Sequence, residues 1–247
     1  NLVRIEIFVH GALCMAVSGK CYMSLHTANS SANRGACMQN CRKTYVVTDK
    51  EDGHQFDINN EYIMSPKDLC AIGFLDQVLD SGSNILKIEG RGRSPEYVKI
   101  TTQCYREAAD AYLEGTYNKE KVKGWMNRLK TVYNRGFWDG YYLGQKMGEW
   151  AEIHGSKATK KKIYLGKAKK YFAKIQVAEF DLETQKLKEG DNILITGRTT
   201  GIIETIAGEI RINDKRVEDV NKGDKFSMKL NHKVHPNDKL YKVTNIQ

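Results

Sequence analysis

The spacing of apolar positions changes along the chain, and each change predicts an element. "VRIEIFVHGALCMAV" (3–17) is apolar with little alternation, as expected of a strand buried on both faces. "YIMSPKDLCAIGFLDQVLDSG" (62–82) has apolar residues at helical spacing, with Ser65 as N-cap, Pro66 at the first helical position and Asp80-Ser81-Gly82 as the stop. "NILKIEGRGRS" predicts a short strand over 85–88 with a charged end at Lys87, Glu89 and Arg91. "SPEYVKITTQCYREAADAYLEG" repeats the capping device with Ser94 and Pro95, and Gly115 ends that helix. A further helix is predicted over about 119–134, followed by "NRGFWDGYYLGQKMGEW", an ordered loop or short hairpin.

Beyond Lys160 the period shortens. "YFAKIQVAEFD", "NILITGRTT", "GEIRIND" and "DKFSMKL" predict short strands separated by Gly-Asp or Asn-Asp turns, the pattern of a small all-β barrel. Helix–strand–helix order before it signals α/β architecture. The fold class is therefore α/β plus all-β. The expected boundaries are 1–115 for the α/β part, 116–160 for a helical and glycine/aromatic connection, and 161–247 for the β-barrel, with the basic stretch at 154–162 as the linker.

A chain of 247 residues that is 40% hydrophobic and has three prolines can bury a core. It starts at Asn1, already in strand-like sequence, which suggests a fragment whose N-terminal part is missing. No run approaches the roughly 18 apolar residues of a membrane span and no leader precedes the first strand, so a reducing, cytoplasmic setting without membrane contact is expected. The net charge of +9 is partly concentrated in "HGSKATKKKIYLGKAKKYFAK" (154–174). That patch is either a polyanion-binding surface or a solvated linker.

Six cysteines in such a setting call for a chemical reason. Their spacing is Cys14-x6-Cys21-x15-Cys37-x3-Cys41, with Cys70 and Cys104 further on. Structural zinc sites use two close pairs, and only Cys37 and Cys41 form one. Iron–sulfur clusters accept ligands from separate loops, and Lys20, Arg34, Arg42 and Lys43 flank the thiols with positive charge. Iron–sulfur, zinc and ordinary reduced cysteines all remain open on spacing alone. Cys104 reads as a core residue, and His10 as a satisfied buried histidine or, with Cys14, a zinc ligand. A Cys–His peptidase has weak support, because no orienting group or oxyanion motif is visible.

"EIFVHGALCMAVSGKCYMS" resembles the signature of peptidase family U32: Glu6, Phe8, Gly11, Ala12, Leu13, Cys14, Gly19, Cys21, Met23 and Ser24 occupy every fixed position. "NRGACMQNCR", "SPKDL", "KIEGRGRSPEYV", "NRGF" and the terminal β-strands follow in the order found there, so the resemblance covers essentially the whole chain. It implies the C-terminal portion of a modified (β/α)8 TIM barrel, then a small β-barrel resembling domain two of elongation factors. The rest of the barrel is then expected on the same or another chain, in a homo- or heterodimer.

The resemblance is strongest to the branch that makes 5-hydroxyuridine at the tRNA wobble position, by an iron–sulfur-dependent, oxygen-independent hydroxylation. That implies a 4Fe-4S cluster on Cys14, Cys21, Cys37 and Cys41, with Cys70 an alternative fourth ligand, zinc an alternative metal, and His10 a ligand in the zinc case. It also implies prephenate as cosubstrate and tRNA as partner. Glu89 and Arg91 at the end of the last barrel strand are the candidate catalytic residues, and Arg93 and Lys87 the candidate cosubstrate-binding cations. The family name itself implies a peptidase, and a non-catalytic subunit completing a partner's barrel is the third possibility.

Overall fold

The computed structural model describes residues 3–14, 16–17, 20–58, 65–152 and 155–246. Gly19 of the quoted signature, 62–64 ahead of Ser65, and His154 of the basic segment lie outside them. The chain divides into two units, 1–158 and 159–247. Residues 116–158, set apart in the sequence as a connection, fall within the first unit.

In the first unit the elements are β1 (Glu6–Ala12), α1 (Met23–Ala28), β2 (Tyr45–Thr48), β3 (Gln55–Ile58), β4 (Asp68–Cys70), α2 (Leu75–Asp80), β5 (Ile85–Ile88), α3 (Pro95–Leu113), α4 (Lys119–Leu129) and β6 (Phe137–Trp138). Four strands form one sheet in the order β5-β1-β4-β6, and β2 and β3 pair as a separate hairpin that the apolar pattern did not predict. β5 runs parallel to β1, and β6 parallel to β4, but β4 is antiparallel to β1. The sheet is thus mixed, where barrel strands alone would all be parallel, and among the described residues it is open.

Two expectations are corrected. Ser65 and Pro66 do not start a helix. The next residues enter the sheet as β4, all three of them buried, and only after a 3-10 turn at Ala71–Gly73 does α2 begin. Pairing with β1 across His10, Gly11 and Ala12 overrides the local capping signal. β1 is not buried on both faces along its length either: Val9, His10 and Gly11 are buried, whereas Glu6 and Phe8 are exposed. The strand over 85–88 forms as predicted. So does α3, whose first residue is Pro95 and after which Gly115 takes φ +68°.

The core of this unit collects Val9 from β1, Ile72 and Leu75, the Cys104–Tyr105–Ala108 face of α3, and Trp125 and Leu129 one helical turn apart on α4. Each such large side chain contributes roughly 1.5–3 kcal/mol by leaving water.

The second unit is all antiparallel: β7 (Lys160–Phe172), β8 (Val177–Leu182), β9 (Leu187–Lys188), β10 (Asn192–Gly197), β11 (Gly201–Ile206), β12 (Ile210–Ile212), β13 (Lys215–Val217), β14 (Asp219–Val220), β15 (Lys225–Lys229) and β16 (Lys239–Asn245). Eight of them make one sheet in the order β11-β10-β16-β7-β8-β15-β12-β13, and β9 pairs with β14. Alternate residues such as Ala178, Phe180 and Leu182 on β8 point to one core, shared with Leu165, Ile195, Ile203, Ile210, Phe226 and Leu240. One face of a single sheet therefore closes around one core. None of the described helices is long and apolar enough to cross a membrane.

Candidate metal centre

Strand direction decides what meets at the edge of the first sheet. β1 and β5 are parallel, so both end there, and β4 and β6 run the opposite way, so both begin there. The exits carry Leu13-Cys14 and Glu89 to Arg93. The entries carry Pro66 to Asp68 and Arg135-Gly136. The two exits approach closely: Glu89 donates its backbone N–H to His10 O at 2.8 Å, and at Gly11, with φ +128°, an added Cβ would lie 2.6 Å from the Glu89 Cβ. Only glycine fits that position.

Cys21, Cys37 and Cys41 come from one locally tied segment. Ser24 of α1, just after Cys21, accepts at Oγ from the Met38 N–H at 3.0 Å. Asn40 donates its Nδ2 to Thr27 Oγ1 at 2.6 Å, and the Tyr45 hydroxyl donates to Asn40 O at 2.6 Å. These bonds fold Cys21, Cys37 and Cys41 back toward one another. Cys41 lies on a short 3-10 turn (Asn40–Arg42) and is half-buried. Burial pushes its thiol up, the neighbouring Arg42 guanidinium pulls it down, and Cys37, Cys14 and Cys21 each push it up again. Cys14, Cys21 and Cys37 therefore each sit within electrostatic reach of Cys41, and none of the four is in a disulfide.

As they stand, no three His, Cys, Asp or Glu side chains among the described residues are grouped to hold a metal ion. The donor set nevertheless has the chemistry of a four-thiolate site: four reduced cysteines, two exposed and two half-buried, with a cation beside them. By donor type, though without a preformed cage, Cys14, Cys21, Cys37 and Cys41 are the residues that would hold an iron–sulfur cluster.

Beside the thiols lies a cluster of arginines. Asp68 at the start of β4 is 1% exposed and is shared by Arg93 at 3.3 Å and Arg135 at 3.3 Å, whose side chains are 8% and 10% exposed. Arg135 also donates its backbone N–H to Asp68 Oδ2 at 3.1 Å. Both guanidiniums stack on Tyr133, at 4.2 and 5.1 Å from the ring centre. Arg42 is half-buried, and burial together with the charge of Arg135 pulls its pKa down. Three guanidiniums around the one buried carboxylate of Asp68 leave this cluster with a net positive charge.

The predicted site residues are placed as follows. Glu89 turns its carboxylate back to accept from the Arg91 N–H at 2.9 Å, so it shapes the strand exit. Arg91 is exposed and lies against Gly35, where φ is +87° and any Cβ would collide with the guanidinium. Arg93 is locked to Asp68. Lys87 is drawn to the start of β1, paired with Glu6 at 2.6 Å and 4.9 Å from the centre of the Phe8 ring.

Cys70 faces the core on β4, with Met126 Sδ at 3.7 Å and the Tyr105 hydroxyl at 3.8 Å, and burial pushes its thiol up to about 11. His10 sits among Tyr97, Tyr105 and Phe137, with Nδ1 3.3 Å from the Tyr105 hydroxyl, and burial holds its pKa down at about 3. Neither is drawn to the other thiols. Cys104 is a core residue of α3.

A peptidase needs a nucleophile activated by an oriented base. The Thr200 hydroxyl, in the second unit, touches His235 Nδ1 at 2.9 Å, but it also donates to Asp238 Oδ2, which accepts the His235 backbone N–H at 2.7 Å. Asp238 is bonded to the His235 backbone rather than to its ring, so this group ties two loops together and does not reproduce a relay.

Of Arg42, Asp68, Arg135 and Tyr133, the sequence pointed only to Arg42, and to that only as a cation flanking the thiols. Three of them stood inside quoted motifs ("NRGACMQNCR", "SPKDL", "NRGF"), but their pairing spans up to 67 positions and leaves no local signal.

The sequence pattern of peptidase family U32 matches residues 2–152. A collagenase of Porphyromonas gingivalis is 56% identical over 240 residues, 97% of this chain and 58% of the collagenase. A tRNA hydroxylation protein of Bacillus subtilis is 32% identical over 229 residues, 84% of this chain and 51% of its own length. The chain thus spans little more than half the length of either. The C-terminal domain of a Geobacillus thermoleovorans U32 peptidase is similar over 32% of this chain and 90% of its own, at 14% identity and a TM-score of 0.31. By the family pattern and the 56% identity over nearly its whole length, this chain belongs to peptidase family U32.

Proposed function

We propose that the chain carries the metal-holding part of an iron–sulfur-dependent, oxygen-independent RNA hydroxylase that forms 5-hydroxyuridine at the tRNA wobble position. The observation that supports the reading is that Cys14, Cys21 and Cys37 all lie within electrostatic range of Cys41, four free thiols with the Arg42 guanidinium next to the last. When bound, a 4Fe-4S cluster would supply one-electron chemistry. The four cysteines would hold it. Arg91, exposed beside Gly35 of the thiol segment, would meet a carboxylate of prephenate, the proposed oxygen source. Arg93, held by Asp68 and Tyr133, keeps the wall behind it positive. The tRNA hydroxylation protein of Bacillus subtilis supports the substrate class. Of the 39 Lys and Arg, 19 lie in 159–247 against 12 of the 30 Asp and Glu, so +7 of the net +9 falls on the second unit, which suits an RNA partner.

Iron and acid-labile sulfide, measured on protein purified without oxygen, test the reading. About four of each per chain, lost in Cys14→Ala and Cys21→Ala, is the expected result. Nucleoside analysis of tRNA from cells lacking the protein should then show loss of 5-hydroxyuridine, restored by the unsubstituted chain. The second reading is a peptidase, favoured by the 56% identity to a collagenase. Collagen cleavage by iron-free protein would establish it and remove the first.

A further inference from the structure

Cys21, Cys37 and Cys41 belong to the tied segment of residues 21–45, whereas Cys14 belongs to the sheet, at the exit of β1. Something must hold these two pieces in one geometry, and Arg42 bridges them. Its Nη2 donates to the carbonyl of Leu13, the residue before Cys14, at 2.8 Å. Its Nη1 donates to Ser65 Oγ at 3.1 Å and to Pro66 O at 3.2 Å, the segment that leads into β4. One planar fork thus spans the strand carrying Cys14 and the strand beside it, while its own backbone carries Cys41.

The position is costly. Arg42 is partly removed from water and shares its surroundings with the like-charged Arg135. Two backbone carbonyls and a hydroxyl are its hydrogen-bond partners, and among the described residues no carboxylate bonds to it. A guanidinium so placed needs compensating charge: the Asp68 carboxylate supplies part of it, and the neighbouring Cys41 would add more as a metal-bound thiolate.

We propose that Arg42 is a positioning residue of the metal centre: it clasps the Cys14 strand to the Cys41 turn and sets the opening between the ligands. The proposal rests on the metal reading above. It assigns to Arg42 a role in holding the ligands, and none in touching substrate. A lysine keeps the charge and the stem but has a single nitrogen, so it cannot reach both strands in one fixed plane. Loss of such outer partners weakens metal sites by about 10- to 100-fold.

The test uses the full chain, purified without oxygen, with iron content, the visible spectrum and the rate of iron loss to a chelator as readouts, and thermal unfolding as the fold control. Arg42→Met should lose iron about 10- to 100-fold faster than the unsubstituted chain, and Arg42→Lys should fall between them. Ser65→Ala, which removes one of three acceptors, should stay close to the unsubstituted rate. Iron in the unsubstituted chain with equal loss rates in both Arg42 variants overturns the clasp and leaves the metal centre standing. If Arg42→Met does not fold, the Arg42→Lys rate decides alone, and an unchanged rate overturns the proposal. An unsubstituted chain that holds no iron overturns the metal reading, and the clasp with it.

Discussion

His10 is charged in the unfolded chain below its ordinary pKa of 6.5, but in the fold burial, with Arg93 nearby, keeps it neutral down to about pH 3. The groups facing it are Tyr97, Tyr105 and Phe137, with Cys70 opposite on β4, and none offers a negative charge. Between those two pH values the unfolded state binds a proton that the folded state refuses. The first unit is therefore at full stability above pH 6.5 and loses up to about 1.4 kcal/mol per pH unit below it, about 2 kcal/mol at pH 5. Denaturant unfolding of His10→Phe should lack this part of the slope whatever its absolute stability. An unchanged slope would place the titration elsewhere. Cys70→Ala should keep the iron that Cys41→Ala loses, because its thiol belongs to the core. At this scale the four clustered cysteines stand out in the sequence, since residue type and spacing are local. The roles of Arg42, Asp68 and Arg135 do not, since each is defined by a partner far away in the chain.

Elements were legible where local preference and tertiary demand agree. The 85–88 strand, with its charged exit, and α3, with Pro95 at its start and Gly115 just past its end, needed no distant partner to be recognised. The 65–70 stretch shows the opposite: a good helix start gives way to an antiparallel strand paired with β1, which sets Asp68 at the sheet edge between Arg93 and Arg135. That carboxylate joins β4, the entry of α3 and the entry of β6, all below or near a tenth exposed. Asp68→Asn leaves two buried guanidiniums without their shared charge, which costs roughly 3–5 kcal/mol. Thermal unfolding of the variant should show a large drop confined to the first unit's transition. A drop no larger than that of a surface substitution would mean that water reaches the arginines.

For the whole molecule, charge is divided unequally: the unit that holds the thiols carries +2 and the β unit +7, although both have mixed surfaces. The excess is not spread evenly over the β unit either. Lys160 and Lys161 open β7 side by side, both exposed, and Lys169 and Lys170 follow near its end, with Lys169 partly neutralised by Asp181 at 3.2 Å. An RNA laid along such a strand would release counterions, so binding should weaken linearly with the logarithm of salt concentration. Lys160→Ala with Lys161→Ala, in the full chain, should lower affinity for tRNA and flatten that salt slope by about two. Iron content should be unchanged, because neither lysine belongs to the thiol-bearing unit. Equal affinity and slope in the variant would move the RNA contact off the start of β7 and leave these lysines as a solvated edge.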